Sequence, residues 1–134
     1  MSKHKVFSLP VRVYFQDTDA GGVVYHANYV NFMERARTEW LRTFGHSNAG
    51  LMKELGVVFV VRSIKLDYLK PALLDDMLTV TAQIKEIGRS RVVLFQTVLK
   101  GEEVLVEGEV HLVCVNVQTF KPVSVPDVLR KQWE

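Results

Sequence analysis

The stretch Tyr29-Val30-Asn31-Phe32-Met33-Glu34-Arg35-Ala36-Arg37-Thr38-Glu39-Trp40-Leu41-Arg42-Thr43-Phe44 decides the fold. Val30, Met33, Ala36, Trp40, Leu41 and Phe44 recur at steps of three and four residues, while Arg35, Thr38, Glu39 and Arg42 fill the opposite side. That period predicts an amphipathic helix with one buried face. Asn28 or Asn31 is the expected N-cap, Asn31 and Glu34 have capping-box spacing, and Gly45 is the expected stop. Arg37 is out of place, because at about 100° per residue it falls inside the apolar stripe. A cation there must reach the edge of the core or meet a carboxylate, and Asp19 and Asp67 are the candidate partners.

On either side of this helix the period changes from helical to alternating. A short second helix is expected from Ala49 to Leu55, closed by Gly56. Ile64, Leu66 and Tyr68 then alternate with Lys65 and Asp67, and Leu78, Val80, Ala82 and Ile84 alternate with Thr79, Thr81 and Gln83 up to Gly88. Val92 to Leu99 is apolar on both faces, and Val104 to Val117 forms a long last strand. On the N-terminal side, Val11, Val13 and Phe15 alternate after Pro10. One long helix followed by about four hairpin-connected strands predicts an α+β fold, with the helix on one face of an antiparallel sheet. The two-sided strand asks for cover on its second face as well.

The chain has 134 residues, 17 Lys plus Arg and 15 Asp plus Glu, so the formal charge is 17 − 15 = +2. That length, without repeats or linker-like stretches, suits a single domain over 1–134. The small net charge gives no reason to expect a nucleic-acid partner. No apolar run reaches the roughly 18 residues that a membrane helix needs. The apolar residues after Lys3 and Lys5 stop at Pro10, too soon for a signal peptide. A lone cysteine, Cys114, cannot close an internal disulfide, so the expected compartment is reducing and cytoplasmic. A domain this small must hold both a core and a pocket, and burial against a second copy would ease that demand.

The segment Asp17-Thr18-Asp19-Ala20-Gly21-Gly22-Val23-Val24-Tyr25-His26-Ala27-Asn28-Tyr29 carries two carboxylates, two glycines, a histidine and two tyrosines in a loop that feeds the helix. A carboxylate here can act as base or nucleophile, and the first N–H groups of a helix can stabilise an oxyanion. An Asx turn and a simple bend would also account for the aspartates and glycines. An EF-hand is excluded, since its fifth and twelfth positions hold Gly21 and Asn28. His4, His26, His46, His111 and Cys114 lack zinc-ligand spacing, so no metal is expected. Phosphate-loop and nucleophile-elbow motifs are absent. Lys85, Arg89 and Arg91, with Ser90, surround Gly88; they read as a solvated hairpin tip or as a phosphate-binding cluster.

Taken together, Val11-Arg12-Val13-Tyr14, Asp17 through His26 and Glu34-Arg35-Ala36-Arg37-Thr38-Glu39 resemble the 4-hydroxybenzoyl-CoA thioesterase family, and within it the YbgC type of acyl-CoA thioesterase. Phe59-Val60-Val61-Arg62 and Leu74-Asp75-Asp76 extend the resemblance over most of the chain. It implies a hotdog fold, an antiparallel sheet wrapped around one long central helix, assembled as a homodimer or a homotetramer built as a dimer of dimers. It also implies hydrolysis of acyl-CoA, or of acyl carrier protein conjugates, without cofactor or metal. Carried over by position, Asp19 is the catalytic carboxylate, as nucleophile or general base, His26 and the N–H groups near Tyr25 to Ala27 polarise the thioester carbonyl, and Tyr25 shapes the pocket or holds Asp19. Lys85, Arg89, Ser90 and Arg91 become candidates for binding CoA phosphates. The chain departs from the family pattern at Phe15, where a second tyrosine is common, and Glu34 is the rival carboxylate on the helix. A non-catalytic acyl-binding module and an enoyl-thioester dehydratase are the competing functions.

Overall fold

The computed structural model describes residues 5–134, so Lys3 and His4 lie outside the described residues. Strands β1 (Phe7–Arg12), β2 (Val57–Tyr68), β3 (Met77–Ile87), β4 (Arg91–Lys100) and β5 (Glu103–Asn116) form one antiparallel sheet in the order β1, β3, β4, β5, β2. Helix α1 (Asn28–Arg42) lies across one face of it, α2 (Asn48–Glu54) follows, and α3 (Asp127–Trp133) closes the chain. This is the expected α+β hotdog arrangement.

The N-terminal strand differs from its expected course. β1 runs through Pro10, which faces Thr79, and ends before Phe15, which sits in a 3-10 turn with 81% of its surface exposed. Because β1 is an edge strand, a residue without an N–H is tolerated in it. β2 starts at Val57, well before Ile64. A register shift between Val61 and Ser63 breaks its alternation, so the sequence period shows only the second half of the strand.

The cap of α1 is also different. Ala27 occupies the N-cap and has no side-chain oxygen to cap the helix; Asn28 Nδ2 instead donates to Asp17, and Asn31 Nδ2 donates to Asn28. Gly45 follows the helix with a φ of 85°, a left-handed conformation that glycine adopts without strain. Ser47 caps α2 through Gly50 N–H.

The core has two parts along α1. Phe32, Met33 and Ala36 pack with Val11, Val80, Val98 and Val106, whereas Trp40 and Leu41 pack with Leu94, Val110, Leu129 and Trp133. Gln96 lies on β4 between Leu94 and Val98, fully buried. Its Nε2 donates to Met33 O at 3.0 Å and to Thr81 O at 3.1 Å, so this polar residue joins helix to sheet where the two apolar clusters meet. On the other face of β4, Val93 is already buried within the chain and Phe95 stays exposed.

Candidate active site

Asp17 and Asp19 have opposite environments. Asp17 is buried, accepts hydrogen bonds from Tyr14 N–H at 2.8 Å and Asn28 Nδ2 at 2.7 Å, and its carbonyl takes Tyr25 N–H. It joins the exit of β1 to the start of α1, which is a structural task. Asp19 is exposed; its Oδ1 accepts Gly21 N–H at 2.9 Å in an Asx turn. Its Oδ2 has no partner among the described residues. Thus the turn holds one carboxylate oxygen in place and leaves the other uncommitted.

The loop is kept rigid from beneath. Asp19 N–H donates to Val23 O, Val24 N–H to Ala72 O and Leu74 N–H to Gly22 O, so the 19–24 segment is paired with the β2–β3 connection. Gly22, with a φ of 78°, makes the reversal that brings Val23 back alongside Asp19.

His26 is exposed at the start of α1, with Tyr25 at 4.5 Å and Tyr68 at 6.3 Å between ring centroids. The Tyr68 hydroxyl donates to His26 O at 3.0 Å. A cavity of about 260 Å³ lies beside it, walled by Val24, Tyr29, Tyr68 and Leu69. Tyr29 is buried, its hydroxyl accepts Ala72 N–H, and burial raises its phenol pKa. Tyr25 N–H is used by Asp17 O, but the N–H groups of His26 and Ala27 have no acceptor among the described residues. No hydrogen bond joins Asp19 to either Tyr25 or His26 among those residues. The geometry therefore offers a fixed exposed carboxylate, an imidazole and two open backbone donors around one helix start.

The basic group stands apart from this loop. Asp19 is anchored near the beginning of β3 and Gly88 follows its end, so about 30 Å of strand separates them in one chain. Lys85 pairs with Glu109, whose carboxyl is held below its usual range by Lys85 first and His111 second. Arg91 lies 3.8 Å from Glu86, while Arg89 Nε donates to Ser124 Oγ and has no carboxylate partner among the described residues. Ser90 O accepts Cys114 N–H.

Arg37 meets neither Asp19 nor Asp67. Its Nη1 donates to Gln96 Oε1 at 3.0 Å, and burial lowers its pKa, partly offset by Glu34. Both Arg37 and Glu34 line a second cavity of about 250 Å³ between α1, β2 and α3. A carboxylate partner is the commonest solution for an inward cation, and sequence had no signal for the glutamine that replaces it: Gln96 sits in a strand otherwise read as apolar.

Among the described residues, no group of histidine, cysteine and carboxylates is arranged to hold a metal ion, and no helix is long and apolar enough to cross a membrane. Residues 13–133 match the model of the thioesterase-like superfamily. The chain belongs to that superfamily. This thioesterase-like chain is 48% identical over 122 residues to the acyl-CoA thioester hydrolase YbgC of Escherichia coli O6:H1, covering 90% of each chain. It is 43% identical over 120 residues to the acyl-CoA thioesterase YbgC of Haemophilus influenzae, covering 90% of this chain and 88% of that one. The crystal structure of a probable thioesterase from Bartonella henselae is similar throughout, with a TM-score of 0.87 and 36% identity over 91% of this chain and all of that one.

Proposed function

We propose that this protein is a single-domain thioester hydrolase that cleaves acyl-CoA to a free acid and CoA. One observation carries the mechanism: Asp19 is exposed with one carboxylate oxygen uncommitted, and it shares a rigid loop with His26 and the open N–H groups that precede α1. The carbonyl oxygen would sit against His26 and the N–H groups of His26 and Ala27, which stabilise negative charge as it develops there. Asp19 then either attacks the carbonyl carbon, expelling the CoA thiolate and forming a mixed anhydride that water opens to release the acid and restore the carboxylate, or removes a proton from a water that attacks the carbonyl carbon and expels the CoA thiolate. Tyr25, packed on the His26 ring, shapes the acyl side of the site. Glu34 lies further along α1 on a different cavity, which favours Asp19 as the reacting carboxylate.

Assembly of two or more copies belongs to the same reading. β2, twelve residues long, has β5 on one side and no paired strand on the other among the described residues. Tyr14, Phe15, Tyr25, Tyr68, Leu69 and Leu73 are exposed apolar side chains around the Asp19 loop. A second copy lying antiparallel along β2 would bring its Lys85, Arg89, Ser90 and Arg91 toward this chain's Asp19, where Arg89 is the cation best placed to take a CoA phosphate. A cytoplasmic location fits CoA esters as substrates.

CoA release over a panel of short, medium and aromatic acyl-CoAs, alongside acyl carrier protein conjugates, tests the reading. Wild type should turn over at least part of the panel, and Asp19→Asn should lower kcat about 100-fold or more while leaving the fold intact. Retained activity in Asp19→Asn would remove its role. Ligand-induced stabilisation without turnover would favour a binding module, and addition of water to an enoyl thioester would favour a dehydratase. Arg89→Ala should raise KM for acyl-CoA and leave that for the matching acyl-pantetheine unaltered; equal changes for both would remove the phosphate role.

A further inference from the structure

The two open N–H groups before α1 belong to consecutive peptide units. Among the described residues every peptide bond is trans, so the C=O and N–H of one unit share a plane and point opposite ways, and holding the carbonyl fixes the amide. The unit that ends in His26 N–H is held by the turn that opens α1, because Tyr25 O accepts Asn28 N–H at 2.8 Å. The next unit, which ends in Ala27 N–H, has no such support: no backbone N–H donates to His26 O among the described residues. Its carbonyl accepts the Tyr68 hydroxyl instead, at 3.0 Å.

Tyr68 is a well-anchored donor. It is the last residue of β2, and its backbone pairs with Val106 of β5. Its ring lies 5.7 Å from that of Tyr29, which is buried and tied to Ala72 N–H, and 6.3 Å from the His26 ring, edge to face. The same side chain walls the cavity beside His26. Because Tyr68 is 48% exposed, water can replace its hydroxyl, but a water molecule is not tied to the sheet and leaves the peptide plane free to rock. A hydrogen bond into a carbonyl also polarises the whole amide, which makes the N–H at its other end a stronger donor.

We propose that Tyr68 is a positioning residue for thioester cleavage: its hydroxyl, acting through the His26–Ala27 peptide, aims and strengthens the Ala27 N–H that meets the developing oxyanion. It needs no contact with the reacting atoms. The inference rests on the thioesterase reading, in which the thioester carbonyl lies against the N–H groups of His26 and Ala27. To that reading it adds a residue 42 positions further along the chain, outside the loop that holds Asp19. Deleting an oxyanion donor outright costs about 100- to 1000-fold in kcat, and loosening one costs less, about 10-fold.

Tyr68→Phe tests this, since it keeps the ring, its packing and the cavity wall and removes one oxygen. For an acyl-CoA that wild type cleaves, kcat should fall about 10-fold while KM changes by less than about twofold, the pattern of an interaction made only in the transition state. Without substrate, the Ala27 amide resonance in a proton–nitrogen NMR spectrum should move in Tyr68→Phe, and more than that of His26, whose peptide Asn28 holds. An unchanged kcat overturns the proposal. A loss carried by KM also overturns it, because Tyr68 would then be a pocket wall alone. So does a fall in kcat with the Ala27 amide unmoved, since the hydroxyl would then act on the substrate directly. Wild type that cleaves no acyl-CoA is a separate failure, in which the thioesterase reading falls and the role of Tyr68 with it; active wild type with an unaffected Tyr68→Phe removes the Tyr68 role alone.

Discussion

At the scale of single residues, identical side chains have acquired different work from their neighbours. Asp17 and Asp19 are two positions apart, and nothing in their composition separates a buried, hydrogen-bonded carboxylate from an exposed one. Asn28 reaching back to Asp17 does so, because a carboxylate that satisfies two donors under the surface has little left to offer a substrate. Cys114 illustrates the same dependence on surroundings. Its thiol is buried, and burial pushes its pKa from 9.0 to about 11. A pKa raised in the folded state means that the stabilising contribution is complete below pH 9 and is lost as pH rises through about 11, since the unfolded chain ionises first. The loss should be on the order of 2–3 kcal/mol. Urea unfolding of wild type and Cys114→Ala at pH 8 and pH 11 isolates it: the advantage of wild type should shrink by that amount at the higher pH, and a constant difference would contradict the assignment.

Among the elements, those with a clean period were legible and those with an interruption were not. α1 was readable almost to its ends, since six apolar residues repeat on one face. The first half of β2 is hidden by its bulge, and α3 goes unread although Leu129 and Trp133 follow Pro126 and continue a spacing of four from Val125. Such a short helix is held by tertiary packing, here by the stack of Trp133 on Trp40 at 5.0 Å, more than by local propensity. Gly108, on β5, owes its identity to a neighbouring strand. A Cβ there would lie 2.3 Å from Leu66 Cδ2 and 3.0 Å from Lys65 O, so the Leu66 side chain occupies the space that glycine leaves. Gly108→Ala should cost about 1–3 kcal/mol of stability in chemical denaturation. Gly108→Ala should cost less in a Leu66→Ala background than in wild type; fully additive losses would rule out that contact.

For the whole molecule, the open edge of β2 and the apolar surface around Asp19 set the next expectation. A long unpaired strand edge is a template for pairing, and in this chain it contains the half-buried Val58 and Val60. Light scattering should give a mass at least twice the 15.3 kDa of one chain. Val60→Lys should shift the protein toward monomer and reduce kcat/KM together with assembly, because a charge on the edge opposes a second strand. A wild-type monomer with full activity would show that each chain carries a complete site. The Gly88 turn lies about 30 Å of strand from the Asp19 loop in one chain, so the phosphate contact proposed for Arg89 depends on this result.

The sequence alone determined the elements and the candidate chemistry: one amphipathic helix, a run of antiparallel strands, and a loop with Asp19 and His26 before the helix. These follow from local rules, since side-chain period, turn residues and motif order all act over a few positions. Tertiary structure decided which aspartate is exposed, why Arg37 is left without a carboxylate, and that the basic turn lies at the far end of β3. Those properties depend on residues such as Asp17 and Asn28, or Arg37 and Gln96, which are separated along the chain and meet only when α1 settles onto the sheet.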